Sequence, residues 1–209
     1  MGMLVIVMLV CNCNSFFSVR YRNINDQTGQ RISEDKLKLL IVISNDDEGA
    51  KSEALNAVEE IRKQVVSAPI CVVAQSDNRD NNKSYNNFIG NGRVLMFYGP
   101  DVKASILLVN KKDTSEMLKT KFENWKKELL FLNSHQVIAF HFTVVNGTEP
   151  EDNEEIFSNT FPDIPLSTLR LLDESSMTGV DYQVETEFRF DVGPVYAIVG
   201  FRQFGRKSE

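Results

Sequence analysis

The segment "LKLLIVIS" (37–44) is apolar at almost every position rather than at alternate ones. A strand with one wet face alternates apolar and polar side chains, so an unbroken apolar run of strand length has to be covered on both faces. The same constraint applies to "APICVVAQ" (68–75), "RVLMFYG" (93–99), "KASILLVN" (103–110) and "QVIAFHFTVV" (136–145). Between these runs the apolar period changes. In "DEGAKSEALNAVEEIRKQVV" Ala54, Val58, Ile61 and Val65 fall on one helical face, and in "DTSEMLKTKFENWKKELLFL" Met117, Phe122, Trp125 and Leu129 or Leu130 form one stripe. Strands alternating with helices predict an α/β fold whose sheet is partly parallel, with buried strands flanked by helices.

The order repeats. Residues 37–101 read as strand, helix, strand, polar connection, strand, and residues 102–209 as strand, helix, strand, acidic loop, short helix, proline and strand. These are two similar βαβ units in a mixed sheet. Gly99 and Pro100 lead almost directly from one unit into the next, so the first is either truncated or shares one composite sheet with the second. Within the tail "VDYQVETEFRFDVGPVYAIVGFRQFGRKSE", the segment "VGPVYAIVGFRQFG" supplies a terminal helix or strand, and Pro194 and Gly200 disfavour a long helix there.

The chain begins with an apolar run, Met3 to Val10, followed by small and polar residues. That run is too short for a bilayer, which takes about 20 apolar residues, so no membrane span is expected. It fits a signal-peptide core over residues 1–15 with a cut after Ser15, although no Lys or Arg precedes it; the other reading is an N-terminal buried strand. Residues 16–36 read as an irregular arm. Cys11 and Cys13 would leave with the leader, and Cys71, inside an apolar strand, reads as an inert core thiol. The sequons at Asn82 and Asn146 suit a glycoprotein of the endoplasmic reticulum lumen or one that is secreted. The last residues, "GRKSE", lack a KDEL-like retrieval signal, which leaves secretion, retention through a partner and an incomplete chain all open.

With 209 residues, 42% of them hydrophobic, the chain can bury a core for one domain or two small ones. Its net charge of −6 argues against nucleic acid, whose phosphates call for clustered Lys and Arg; "RKQ" and "NWKKE" read as solvated helix faces. Asp46, Asp47 and Glu48 suit the start of a helix better than a metal site, and "EPEDNEE" (149–155) lacks the spacing of an EF-hand. "IGNGR" lacks the Gly-Lys-Ser/Thr ending of a phosphate loop. No cofactor and no metal are expected. His135 and His141 are the two histidines; His141, in an apolar run, reads as a satisfied core residue rather than a base.

From "ASILLVNKKDTSEMLKTKFENWKKELLFLNSHQVIAFHFTVVNGTEPEDNEEIFSNTFPDIPLSTLRLLD" the second unit resembles the non-catalytic thioredoxin-like domains of the protein disulfide isomerase family, and the first unit is similar in pattern to the domain preceding it. The resemblance implies a thioredoxin-like fold and a cis peptide before Pro165; a trans proline opening an edge strand is the alternative. Redox members carry Cys-x-x-Cys where the first strand meets its helix. Here the junctions read "SNDDEGAK" and "NKKDTSEM", without cysteine, so thiol–disulfide exchange and enzyme activity of that kind are not expected. What the resemblance leaves is a chaperone-like apolar cleft for unfolded or partly folded polypeptides, or for another chaperone. Its matching residues are Leu108, Phe122, Trp125, Ile138 and Phe140. Two further readings stand beside it. One is an extracellular adhesion or ligand domain of Rossmann or von Willebrand A-like type, using "SNDDEGAKS". The other is a hydrolytic or transfer enzyme, which would show a deep polar pocket around His141.

Overall fold

The computed structural model describes residues 7–10, 37–46, 49–63, 67–76, 93–145, 149–184 and 187–202. In chain order the elements are β1 (Val7–Val10), β2 (Leu37–Asp46), α1 (Ala50–Arg62), β3 (Ile70–Ser76), β4 (Arg93–Tyr98), β5 (Val102–Leu108), α2 (Ser115–Glu128), β6 (His135–Val144), α3 (Asn153–Thr160), β7 (Leu166–Leu171), β8 (Met177–Val184), β9 (Glu187–Val192) and β10 (Val195–Arg202). Both sequons, the arm and most of the leader lie outside the described residues; within the leader, β1 pairs antiparallel with β4.

The strands form two mixed sheets, a six-stranded one in the order β1-β4-β2-β3-β8-β9 and a four-stranded one in the order β5-β10-β6-β7. The fold is therefore mixed α/β. The pairs β2–β3 and β6–β7 are parallel, and each is bridged in sequence by one helix, α1 or α3. The boundary expected at 101/102 separates strands that the sheets mix, because β8 and β9 continue the sheet begun by β2 and β3.

Alternation along each strand decides what covers it. In β2, Leu40 and Val42 face α1, whereas Leu39 and Ile41 face the other sheet; in β3, Ile70, Val72 and Ala74 take the first side and Cys71 and Val73 the second. In β10, Val195, Ala197 and Val199 join that intersheet core, while Tyr196 and Ile198 pack with α2 and α3. The layers thus run helix, sheet, sheet, helices, and the unbroken apolar runs lie between a helix and a second sheet rather than between two helix layers. The chain crosses from one sheet to the other at Gly99, whose φ of 124° lies where L side chains are strained and glycine is not.

The segment "VGPVYAIVGFRQFG", expected as a helix or a strand, carries the strand β10, preceded in the tail by β8 and β9; β10 inserts between β5 and β6, antiparallel to both, so the strand–helix–strand unit of the second half is parallel but not adjacent.

One ion pair ties α1 to β8, the neighbour of β3 in its sheet. Arg62, in the last turn of α1, donates Nε to Asp181 of β8, Nη2 to the Asp181 carbonyl at 2.8 Å and Nη1 to the Ala68 carbonyl at 2.6 Å. The two side chains are only 9% and 6% exposed. Removing one partner of a buried pair leaves the other charge uncompensated, so Asp181→Ala should lose about 3–5 kcal/mol in urea unfolding; a loss under about 1 kcal/mol would mean that water screens the pair.

Cys71 lies in the intersheet core, and burial pushes its thiol up to about 12. The thiolate is the reacting form. Native chain treated with iodoacetamide at about pH 8 should leave Cys71 unlabelled by peptide mass spectrometry, and urea-unfolded chain should label it. Equal labelling in both states would contradict this packing.

Candidate functional site

The five residues expected to line one cleft are divided between the two faces of a single sheet. Phe122 and Trp125, on α2, belong to the core between that sheet and its helices; Leu108, Ile138 and Phe140 pack on the intersheet core. Phe122 is fully buried, with its ring 4.9 Å from Tyr196, 5.5 Å from Phe157 and 6.2 Å from Phe161. Trp125 is buried as well, and its indole donates to Ser105 Oγ at 2.8 Å. The cause is the period of two in a strand: the helix side takes Leu107, Val109, Val137 and Ala139, so their neighbours Leu108, Ile138 and Phe140 point the other way. In runs apolar at both parities, nothing in the sequence marks which set faces the helix.

Pro165 takes the second of its two expected forms. No peptide bond among the described residues is cis, so the proline opens β7 in trans, and β7 is the outermost strand of its sheet. The ladder to β6 gives this edge a definite polarity. The Pro165 carbonyl accepts from Ala139 N–H at 3.1 Å and the Leu171 carbonyl from Val145 N–H at 2.7 Å, so the odd-numbered residues of β7 turn their backbone polar groups toward β6. In a parallel ladder the alternate residues then turn theirs outward, which here are Leu166, Thr168 and Arg170. Beside this row stand Leu169, Leu172 and Val145, 38%, 66% and 44% exposed. Edges are usually blunted by lysines, prolines or bulges. β7 has a proline before its first residue and one cation, Arg170, whose Nη2 lies 3.2 Å from Glu154.

Behind β7 is a buried polar cluster. His141, fully buried, places Nε2 3.0 Å from Glu149 Oε2, while Nδ1 lies 3.5 Å from Thr168 Oγ1 and 3.9 Å from Glu154 Oε1. Thr143 Oγ1 donates to the other Glu149 oxygen at 2.5 Å. The imidazole stacks on Tyr196 at 4.1 Å, and the Tyr196 hydroxyl donates to Asn153 Oδ1 at 2.9 Å. Burial, then the charges of Glu149 and Glu154, hold the Tyr196 phenol above its usual range, which keeps it a neutral donor. A His–Glu pair has the composition of an acid–base device, but such a device must reach a substrate proton. Here both imidazole nitrogens face protein groups, and Asn153 Nδ2 continues the chain of bonds to the Pro150 carbonyl at 2.7 Å. The cluster fastens the start of α3 to the sheet. The acidic run 149–155 is thus largely spent on internal contacts: Glu149 on His141, Asp152 on Ser115 Oγ at 2.7 Å, and Glu154 on Arg170.

The described surface also has a groove of about 790 Å3 between α2 and α3, walled by Lys119, Glu123, Lys126 and Lys127 on one side and Ile156 and Thr160 on the other. The polar cluster contributes nothing to its lining. Among the described residues no helix is long and apolar enough to cross a membrane.

Because Phe122 is core, Phe122→Ala should cost about 3–5 kcal/mol in a denaturant titration. An unchanged unfolding midpoint would instead return the ring to a ligand-facing role. Comparison with protein-family models and with curated proteins returns no match for this chain.

Proposed function

We propose that this chain is a binding module of the secretory pathway that takes an extended segment of an unfolded or partly folded polypeptide as an added strand along β7. The observation that carries the reading is the outward row of N–H and C=O groups at Leu166, Thr168 and Arg170, on an edge flanked by exposed Leu169 and Leu172. Strand addition satisfies such groups with main-chain hydrogen bonds that any sequence can supply, while side chains at alternate positions give selectivity. That combination suits a ligand defined by being unfolded. The binding element moves from a cleft between helix and sheet to the edge of the sheet.

The leader, Met3 to Val10, and the sequons at Asn82 and Asn146 support the secretory setting. Since β1 is the outermost strand next to β4, cleavage after Ser15 would remove one pairing and leave β4 as the edge. A thioredoxin-like relationship belongs to the same proposal. The parallel pair β2–β3 bridged by α1, with β4 antiparallel beside β2, supports it, and the insertion of β10 between β5 and β6 departs from it. The module acts by binding alone; the junction before α2, Asn110 to Thr114, carries no thiol for exchange chemistry.

The test uses the outward direction of the Thr168 amide. A proline there deletes an edge donor and no ladder bond, whereas Thr168→Val keeps the donor and loses only the hydroxyl. With reduced, alkylated lactalbumin as a labelled unfolded probe, Thr168→Pro should weaken binding by about tenfold, and Thr168→Val should stay within about twofold of wild type. Saturation with probe should also slow hydrogen exchange at the Thr168 and Arg170 amides. Unaltered affinity in a folded Thr168→Pro chain would sink strand addition at this edge.

A further inference from the structure

The groove between α2 and α3 is a second surface, on the outer side of the helices, and its lining is chemically unlike the β7 edge. Its floor offers one apolar side chain, Ile156, which packs partly against the core beneath with Asn159 and Thr160 beside it, and the lysine walls bring aliphatic stems. Its rim is cationic. Lys119, Glu123 and Lys127 follow one another at every fourth residue along α2, and Lys126 stands beside them. Spacing of that kind would let Glu123 pair with either neighbour, yet Lys119, Lys126 and Lys127 have no carboxylate within 4.0 Å among the described residues. Lys126 is fixed in place, its Nζ donating to the Thr160 carbonyl at 2.6 Å and lying 5.7 Å from the centre of the Phe161 ring. Lys127 donates to Asn124 Oδ1 at 3.2 Å, a neutral partner. In a chain of net charge −6, this is a local cationic rim around one apolar side chain.

We infer that this groove binds an acidic segment of a partner polypeptide carrying one apolar side chain between two carboxylates. The geometry sets the spacing. Eight residues of helix at 1.5 Å each put the Lys119 and Lys127 backbones about 12 Å apart. An extended chain covers about the same distance in four residues, with the first, third and fifth side chains on one face. The segment that fits is therefore Glu-x-Leu-x-Glu, its leucine on Ile156 and a carboxylate at each lysine. Nucleic acid fits less well, since a phosphate backbone uses cations without using an apolar floor. Glu123 sits between the two lysines and competes with the incoming carboxylates. This inference does not rest on the β7 proposal.

The experiment measures fluorescence anisotropy of the labelled peptide Ser-Glu-Ser-Leu-Ser-Glu-Ser on the full chain at low salt. Two variants carry the weight. Lys119→Glu with Lys127→Glu should weaken binding by about tenfold or more, as expected for two reversed rim charges, and Glu123→Gln should strengthen it by about two- to threefold. These residues are on the surface, so thermal melts of the variants should match wild type. Replacing Leu by Ser in the peptide should weaken binding, and replacing both Glu by Lys should abolish it. Thr168→Pro should leave this peptide's affinity unchanged, which separates the two surfaces. The inference is overturned if the charge-reversed chain binds as wild type, if the Leu-to-Ser peptide binds as well as the parent, or if tripolyphosphate competes on equal terms, since the last result would make the groove a general anion site.

Discussion

Val195 to Val199 give their side chains alternately to two cores and their backbones to two strands. Strand β10 is the one on which the second half depends, because β5 and β6 touch each other only through it. Along it Tyr196 and Ile198 anchor the helices, and Val195, Ala197 and Val199 anchor the opposite sheet. The last described strand therefore joins two strands from earlier in the second half, β5 and β6. Its register brings Tyr196 beside His141, which is how an aromatic ring comes to shield an imidazole that would otherwise lie bare in an apolar core.

Stacking the two sheets face to face has a consequence for binding. The four-stranded sheet is covered by the other sheet on one face and by α2 and α3 on the other. A thioredoxin-like module would offer a cleft between strand and helix, but here aromatic side chains fill that space: Phe122, Phe157, Phe161 and Tyr196 meet within 4.8 to 6.2 Å of one another. Aromatic pairs at such distances, three of them edge-on and two tilted or stacked, are core packing, and opening them would expose large apolar area. Surface left for a ligand lies where layers end, at strand edges, or where two helices diverge.

Much of this order was legible from residues. The unbroken apolar runs located β2, β3, β4, β5 and β6, and the helical stripes located α1 and α2, because one face or two faces of burial leaves a period in the sequence. Two things were not legible. Which parity of a doubly buried strand faces which layer leaves no trace, since Leu107 and Leu108 are both leucine, and Ile138 and Ala139 are both apolar. In the tail, the strands β8 and β9 ahead of β10 had no assignment from the sequence. Phe188 and Phe190 alternate with charged residues across from Gln183 and Asp181, a period of two that marks a hairpin, but Gly179 interrupts the first strand of it. That glycine is required by packing: a Cβ there would stand 2.6 Å from the Asp191 carbonyl oxygen of the neighbouring strand.

The polar residues divide along the same line. His141, Thr143 and Asn153 are buried, and each has a partner that fixes a loop or helix start to the sheet, because an unpaired polar atom in such a place costs about 1–3 kcal/mol. Glu149 serves two of them, one oxygen to His141 and the other to Thr143, while Asn153 is held by Tyr196 and the Pro150 carbonyl. On α2 the outward Lys119, Lys126 and Lys127 have no carboxylate within 4.0 Å among the described residues, and Glu123 is the one acidic side chain in the groove's lining. The groove is cationic in an acidic protein because α2 places three lysines and a single carboxylate along it.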